Sequence, residues 1–258
     1  MRLPFSLGAA LCLLPLLAEA SPGQPKPSPS QCGLSTDYNV LVDGGGVWLY
    51  RERGLPREIR IHGGGPSIDG QVQAVSAADA LRLRELEAQA REMMPQVAGL
   101  AREAVDLGFD ALAAVVDGLG GSRRKARQVD GMSQHALAHV DRTLGAGRWD
   151  QDVFGPEFEA RVERAAEQMA ASLGRSVLFA VFTPGGAERL ERRSEKMEAE
   201  IERRVEPRRV ALEARAATLC EQAARIDELQ RALEYRFDGR PLQLLRREDR
   251  ALAQADAD

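Results

Sequence analysis

Between Tyr38 and Val75 the apolar residues fall in short runs broken by polar ones. Val40 and Val42, Val47 and Leu49, and Ile59 and Ile61 each recur at a period of two, which puts both members of a pair on one face of a strand. Gly44-Gly45-Gly46 and Gly63-Gly64-Gly65 separate the runs. The segment therefore reads as a small antiparallel meander, with extended runs over 38–42, 47–51, 58–62 and 71–75. Such a sheet is marginal alone and needs a second layer against its apolar face.

The period changes at Ser76. Ser76-Ala77-Ala78-Asp79 fits a helix start in which the hydroxyl caps an early amide and the acid three residues on answers back. Leu83, Leu86, Ala90, Met93 and Val97 follow three or four apart, the spacing that lines one helical face. Pro95 lacks an amide hydrogen and disfavours helix in Met94, so the pattern predicts a kink or break there. A second helix is expected through Ala98, Ala101, Val105, Phe109, Leu112 and Val116, closing at Gly118 and Gly120-Gly121, residues suited to a C-terminal cap. A third runs from Ser122 to about Leu144 with Ala126, Val129, Met132, Ala136 and Val140 inward.

A fourth helix is expected near Pro156, keeping one face through Phe158, Val162, Ala166, Met169, Leu173, Val177 and Val181. Its end, Val177 to Phe182, suits a buried helix terminus and a strand alike. Beyond Ala187 the pattern is the most regular in the chain. Leu190, Ser194, Met197 and Ile201 alternate steps of four and three, and after a phase shift so do Leu212, Ala216, Leu219, Ala223 and Ile226, as in paired or coiled helices. Pro207, between the two stretches, either turns the chain into a hairpin or kinks one long helix. Phe237-Asp238-Gly239 is a turn pattern, and the Ala-Asp-rich residues after Arg250 read as frayed. The fold class this predicts is α+β, mainly α: a small antiparallel β-rich N-terminal unit packed on a bundle of long amphipathic helices.

The first residues add a location. Arg2, the apolar run Leu3 to Leu17 and Ala18-Glu19-Ala20 form the three parts of a secretory signal peptide, with cleavage expected after Ala20. The apolar run is shorter than the roughly 20 residues of a spanning helix, and no later stretch is long enough, so no transmembrane segment is expected in the mature chain. The absence of a twin arginine points to the general secretory route and a periplasmic location. Residues 1–20 are then a signal peptide, 21–31 a Pro/Ser-rich tether, 32–75 the β-rich unit and 76–258 the helical region, in one body with it.

Charge narrows the partners only slightly. The 258 residues carry 35 basic and 39 acidic side chains, a net −4, which gives no overall basic excess for nucleic acid. Only Lys26, Lys125 and Lys196 are lysines; arginine can mark bidentate anion recognition, but such a skew along an Ala-rich chain more often follows codon composition. Cysteine usage is more telling. Removal of Cys12 with the leader leaves Cys32 and Cys220, and in an oxidising compartment two thiols in one chain usually end bonded. No CxxC pair supplies a redox nucleophile with its resolving partner.

The remaining motifs carry little chemistry. His135 and His139 have the i, i+4 spacing of two metal ligands, but no glutamate intervenes and His62 is the only other histidine, so no metal site and no cofactor are expected. Ser122-Arg123-Arg124-Lys125 matches a serine-x-x-lysine pattern without the companion motifs of penicillin-recognising enzymes, and Ser122 is accounted for as a helix cap. Arg123, Arg124, Lys125 and Arg127 form a basic first turn with the charge to attract an anion, though such turns are commonly solvated faces. The glycine triplets lie between strands, where glycine serves turns rather than phosphate loops.

The leader, Cys32, the glycine-punctuated strands reaching Ile68-Asp69-Gly70, the switch to helix at Ser76, Pro95 and the late Leu219-Cys220 together resemble the YggN-like family of uncharacterised exported bacterial proteins. The resemblance covers most of the mature chain. It implies a periplasmic location, supports Cys32 meeting Cys220, and supplies no catalytic or ligand residues. The functional expectation is a non-catalytic binding or scaffold protein whose partner is an envelope protein or other envelope component. The alternatives are an enzyme whose site is assembled only in three dimensions, and an envelope-surface binder acting through the Arg123 turn.

Overall fold

The computed structural model describes residues 32–118, 122–151 and 186–247. The expected leader and tether, the helix from Pro156 with its Val177 to Phe182 end, and the residues after Arg250 lie outside the described residues.

The alternating pairs form the strands expected of them. β1 (Leu34–Ser35), β2 (Asn39–Asp43), β3 (Gly46–Tyr50), β4 (Glu58–His62), β5 (Gly65–Ile68) and β6 (Gln71–Val72) precede the helices. β2 to β6 pair antiparallel in chain order, and β7 (Arg148–Trp149) adds an edge beside β2, giving the order β6-β5-β4-β3-β2-β7. Val47, Leu49, Ile59, Ile61 and Ile68 are buried on one face. On the other face Leu41, Trp48, Arg60 and Ser67 stand opposite one another across four strands, and the Arg60 guanidinium stacks over Trp48 at 4.5 Å.

β5 was concealed by its composition, Gly-Pro-Ser-Ile. Pro66 is tolerated because its carbonyl, which faces β6, accepts from Gln73 N just past the end of that short strand. The nitrogen points to the same side, where pairing runs out and no ladder donor is needed.

α1 (Ala77–Gly118) is one uninterrupted helix of 42 residues, about 63 Å long at 1.5 Å per residue. The break expected at Pro95 does not occur. Pro95 is solvent-exposed while Met94 and Ala98 beside it are buried with Val140 and Leu144. The carbonyl that loses its partner can be hydrated, and the packed residues on either side hold both halves on one axis. The first half of α1 covers the sheet through Leu83, Leu86 and Ala90, joined by Ile226, Leu233, Leu242 and Leu244 from the C-terminal region. The second half packs on α2 (Arg123–Arg142), where Val116 meets Val129. Ser122 caps α2 as expected, its hydroxyl accepting from Lys125 N.

The Pro207 alternative resolves toward a break within one helical direction. α3 (Gly186–Arg204) and α4 (Glu206–Arg231) are separated by Val205 alone, which keeps helical angles, φ −89° and ψ −43°. Val205 N donates to Ile201 O and Arg209 N to Val205 O, so the ladder loses the bond Pro207 cannot make and then resumes. Leu212 and Ile226 on the inner stripe of α4 are buried. After α4, the hairpin of β8 (Arg236–Phe237) and β9 (Arg240–Pro241) turns at Asp238-Gly239, both at positive φ. β10 (Arg246–Arg247) then pairs with β1.

Candidate functional site

The return of the chain after α4 is fixed by three polar side chains. Gln230 on the last turn of α4 accepts from Leu244 N and Leu245 N at 2.8 and 2.9 Å through Oε1. Its Nε2 donates to Leu245 O and Asp227 Oδ1 at 2.7 and 2.8 Å. One amide thus stands in for a strand partner along that stretch. Asp79, 1% exposed, accepts from Glu234 N and Tyr235 N at 3.0 and 2.8 Å and from Arg82 at 2.7 Å. Burial pushes its carboxyl up, but the Glu234 amide, Arg82 and the Tyr235 amide outweigh it and hold the group below the usual carboxylate range.

This departs from the capping pattern expected at Ser76. The hydroxyl does accept from Asp79 N at 3.1 Å, but the acid reaches across the fold to residues about 155 positions away instead of back to Ser76. Thr36 Oγ1 donates to Leu244 O at 2.7 Å and Arg246 pairs with Asp37 at 2.7 Å. Cys32 and Cys220 lie at disulfide distance, with Cα atoms 5.1 Å apart, so the start of the β-rich unit meets α4.

A cleft of about 920 Å³ lies between the β3–β4 loop, the end of α4 and residues 237–247, with Gln230 in its lining. Its apolar wall includes Leu55, Pro56, Phe237, Leu242 and Leu245; its charged residues are Arg51, Arg231, Arg240 and Arg247 against Asp227 and Asp238. The arginines differ in availability. Arg51 is committed to the loop: Nε donates to Pro56 O at 3.0 Å, Nη2 to Leu55 O, and its guanidinium lies 4.5 Å over the Tyr38 ring. Burial pushes the Tyr38 hydroxyl up, keeping it a neutral donor to Pro56 O. Arg231 and Arg247 both reach Asp227 Oδ2 through Nε, at 3.1 and 2.8 Å, with side chains 52% and 61% exposed against 2% for Asp227. A buried carboxylate thus sets the base of two exposed guanidinium groups. Arg240 is exposed and has no partner among the described residues.

The basic turn singled out in the sequence lies elsewhere. Arg123, Arg124 and Arg127 are exposed on the first turn of α2 and Lys125 is half-buried, none of them lining the cleft. His135 and His139 lie farther along α2, and the described residues hold no group of three or more candidate metal ligands. Sequence reasoning missed Asp227, Gln230, Arg231, Arg240 and Arg247. The one available signal was the arginine-punctuated stretch after the last helix, where leucines and aromatics alternate with arginines in no helical or strand period, and its role stays hidden until its backbone partners are known.

Fold and cleft together define a mainly helical α+β protein whose β-rich start and C-terminal strand close on each other beside an arginine-lined opening. A family model described as a protein of unknown function, DUF2884, matches residues 32–245. The chain belongs to that family. No curated protein and no solved structure shows significant similarity to it.

Proposed function

We propose that this is an exported, periplasmic binding protein of the bacterial envelope, without a catalytic step of its own, whose ligand enters the arginine-lined cleft. The observation that carries the reading is the commitment of the cleft's buried carboxylate: Asp227 is spent on holding Arg231 and Arg247. Its charge orders cations for recognition and is not held in reserve as an acid or base. The polar lining is otherwise arginine, glutamine and Asp238, a set suited to gripping anions and hydrogen-bonding groups.

Export is supported by the leader pattern, by the resemblance to YggN-like proteins and by the cysteine pair at bonding distance, since disulfides persist in oxidising compartments. No helix among the described residues is long and apolar enough to cross a membrane.

The test is capture from envelope extracts on immobilised full-length protein, comparing the wild type with Arg240→Glu. A partner or glycan enriched by the wild type and lost in the variant is expected. Repeated capture of nothing above background, or cytoplasmic retention of the protein in fractionated cells, would overturn the reading.

A further inference from the structure

We infer that the cleft is a site for a phosphate monoester dianion, gripped by Arg231, Arg240 and Arg247; this deepens the binding-protein reading and rests on it. Four arginines face two carboxylates along the lining, an excess of two positive charges that a single dianion neutralises. Arg231 and Arg247 each meet Asp227 through Nε, which leaves the Nη nitrogens of both without a partner among the described residues. Terminal nitrogens of neighbouring guanidinium groups match the oxygens of a phosphate, and such forks give the stronger class of charge-assisted hydrogen bond. Arg240, opposite Phe237 in the β8–β9 hairpin, is exposed with no side-chain partner among the described residues and supplies a third. Asp227 is a positioning residue, since it sets the side-chain direction of both forks and is itself buried beneath them.

The size and walls of the cleft extend the argument to the rest of the ligand. A volume of about 920 Å³ falls within the range of small-molecule sites and far exceeds what a phosphate group fills. Leu55 is 67% exposed at the lip, and Phe237, Leu242 and Leu245 continue the apolar wall. The ester therefore carries an apolar or amphipathic group beside its phosphate. That chemistry is shared by soluble phosphate esters and by lipids with a phosphate monoester head.

Calorimetry on the full-length protein distinguishes them, with phenyl phosphate and inorganic phosphate as soluble probes. Cosedimentation with phosphatidylcholine vesicles, with and without phosphatidic acid, is the lipid arm. Arg240→Glu and Arg247→Gln should each weaken binding at least about tenfold, the loss of one charge-assisted contact. Arg124→Glu, at the distant basic turn, should leave it unchanged. Affinity should also fall severalfold from pH 7 to pH 5, because a phosphate monoester loses its second charge near pH 6.

Binding of phenyl phosphate assigns the soluble class, and cosedimentation only with phosphatidic acid assigns the lipid class. Arg240 is exposed and its side chain has no partner among the described residues, so Arg240→Glu folds and keeps the test valid if Arg247→Gln does not. Absence of binding by every probe, equal binding by wild type and Arg240→Glu, or loss in Arg124→Glu instead, would sink the inference. An envelope partner still captured in a cleft-dependent way would then leave the broader reading standing, so the two can fail separately.

Discussion

Asp79 joins the start of the first helix to the backbone that follows the last one. Its folded carboxyl is held below its ordinary value, so it adds stability that is present above the unfolded carboxylate pKa, near 4, and is lost as pH falls through the lower folded value. Asp79→Asn keeps the size but removes the charge that Arg82, Glu234 N and Tyr235 N address. It should cost about 3 kcal/mol at pH 7, read as a lower urea midpoint, and should flatten the decline of stability between pH 4 and 2. An unchanged acid limb in the variant would mean that other carboxylates govern it. The capping motif made Asp79 visible in the sequence but suggested a local role, because nothing within four residues reveals that the true acceptor geometry is completed by Glu234 and Tyr235. Gln230 was invisible for the same reason: its partners are backbone amides fourteen and fifteen residues on.

At the scale of elements, local rules worked where packing agreed with them. Paired apolar residues at a period of two gave β2, β3 and β4, and Ser122 gave the start of α2. Where two rules competed, burial decided. Met94 and Ala98 in one core cluster carried α1 through Pro95 against its intrinsic cost. Pro95→Ala should therefore stabilise the protein by about 2 kcal/mol, the ~3 kcal/mol helix penalty less the unfolded-state entropy that the ring removes, measured by the urea midpoint. A loss of stability instead would mean that the proline shapes α1 in a way its neighbours require. β7 depends on a different constraint. Gly147 has φ +78°, and a Cβ there would lie 2.2 Å from Val42 O, while its carbonyl accepts from Val42 N. Gly147→Ala should push β7 off β2 at a cost of about 2 kcal/mol or more, with faster hydrogen exchange at Val42 N as the signature.

Across the whole molecule, the Cys32–Cys220 pair spans 188 residues. Closing so long a loop stabilises by about 5 kcal/mol in the chain-entropy model, with measured values for native bridges commonly 2–5 kcal/mol. The double substitution Cys32→Ser with Cys220→Ser should lower stability within that span and loosen β1 from β10 first. A thiol assay on the unreduced protein isolated from its natural compartment should find neither cysteine reactive. The approach of the two cysteines to bonding distance was legible from cysteine count and leader together; the arginine-lined cleft was not. That cleft is made where the β3–β4 loop, at Arg51, Leu55 and Pro56, meets residues 237–247, and a contact over such a distance leaves no periodicity to read.

Leu233, Leu242 and Leu244 belong to the same buried cluster as Ile59 and Ile61, which bears on the timing of biosynthesis. A ribosome that has finished the meander must add about 160 more residues before those leucines exist, on the order of ten seconds or more at ordinary elongation rates. Through that interval the sheet can be only partly covered, and its final closure is a late, long-range event. The nascent chain is thus held open until nearly all of it has been made, the condition under which a polypeptide can still be threaded through a narrow translocation pore or engaged by a holding chaperone.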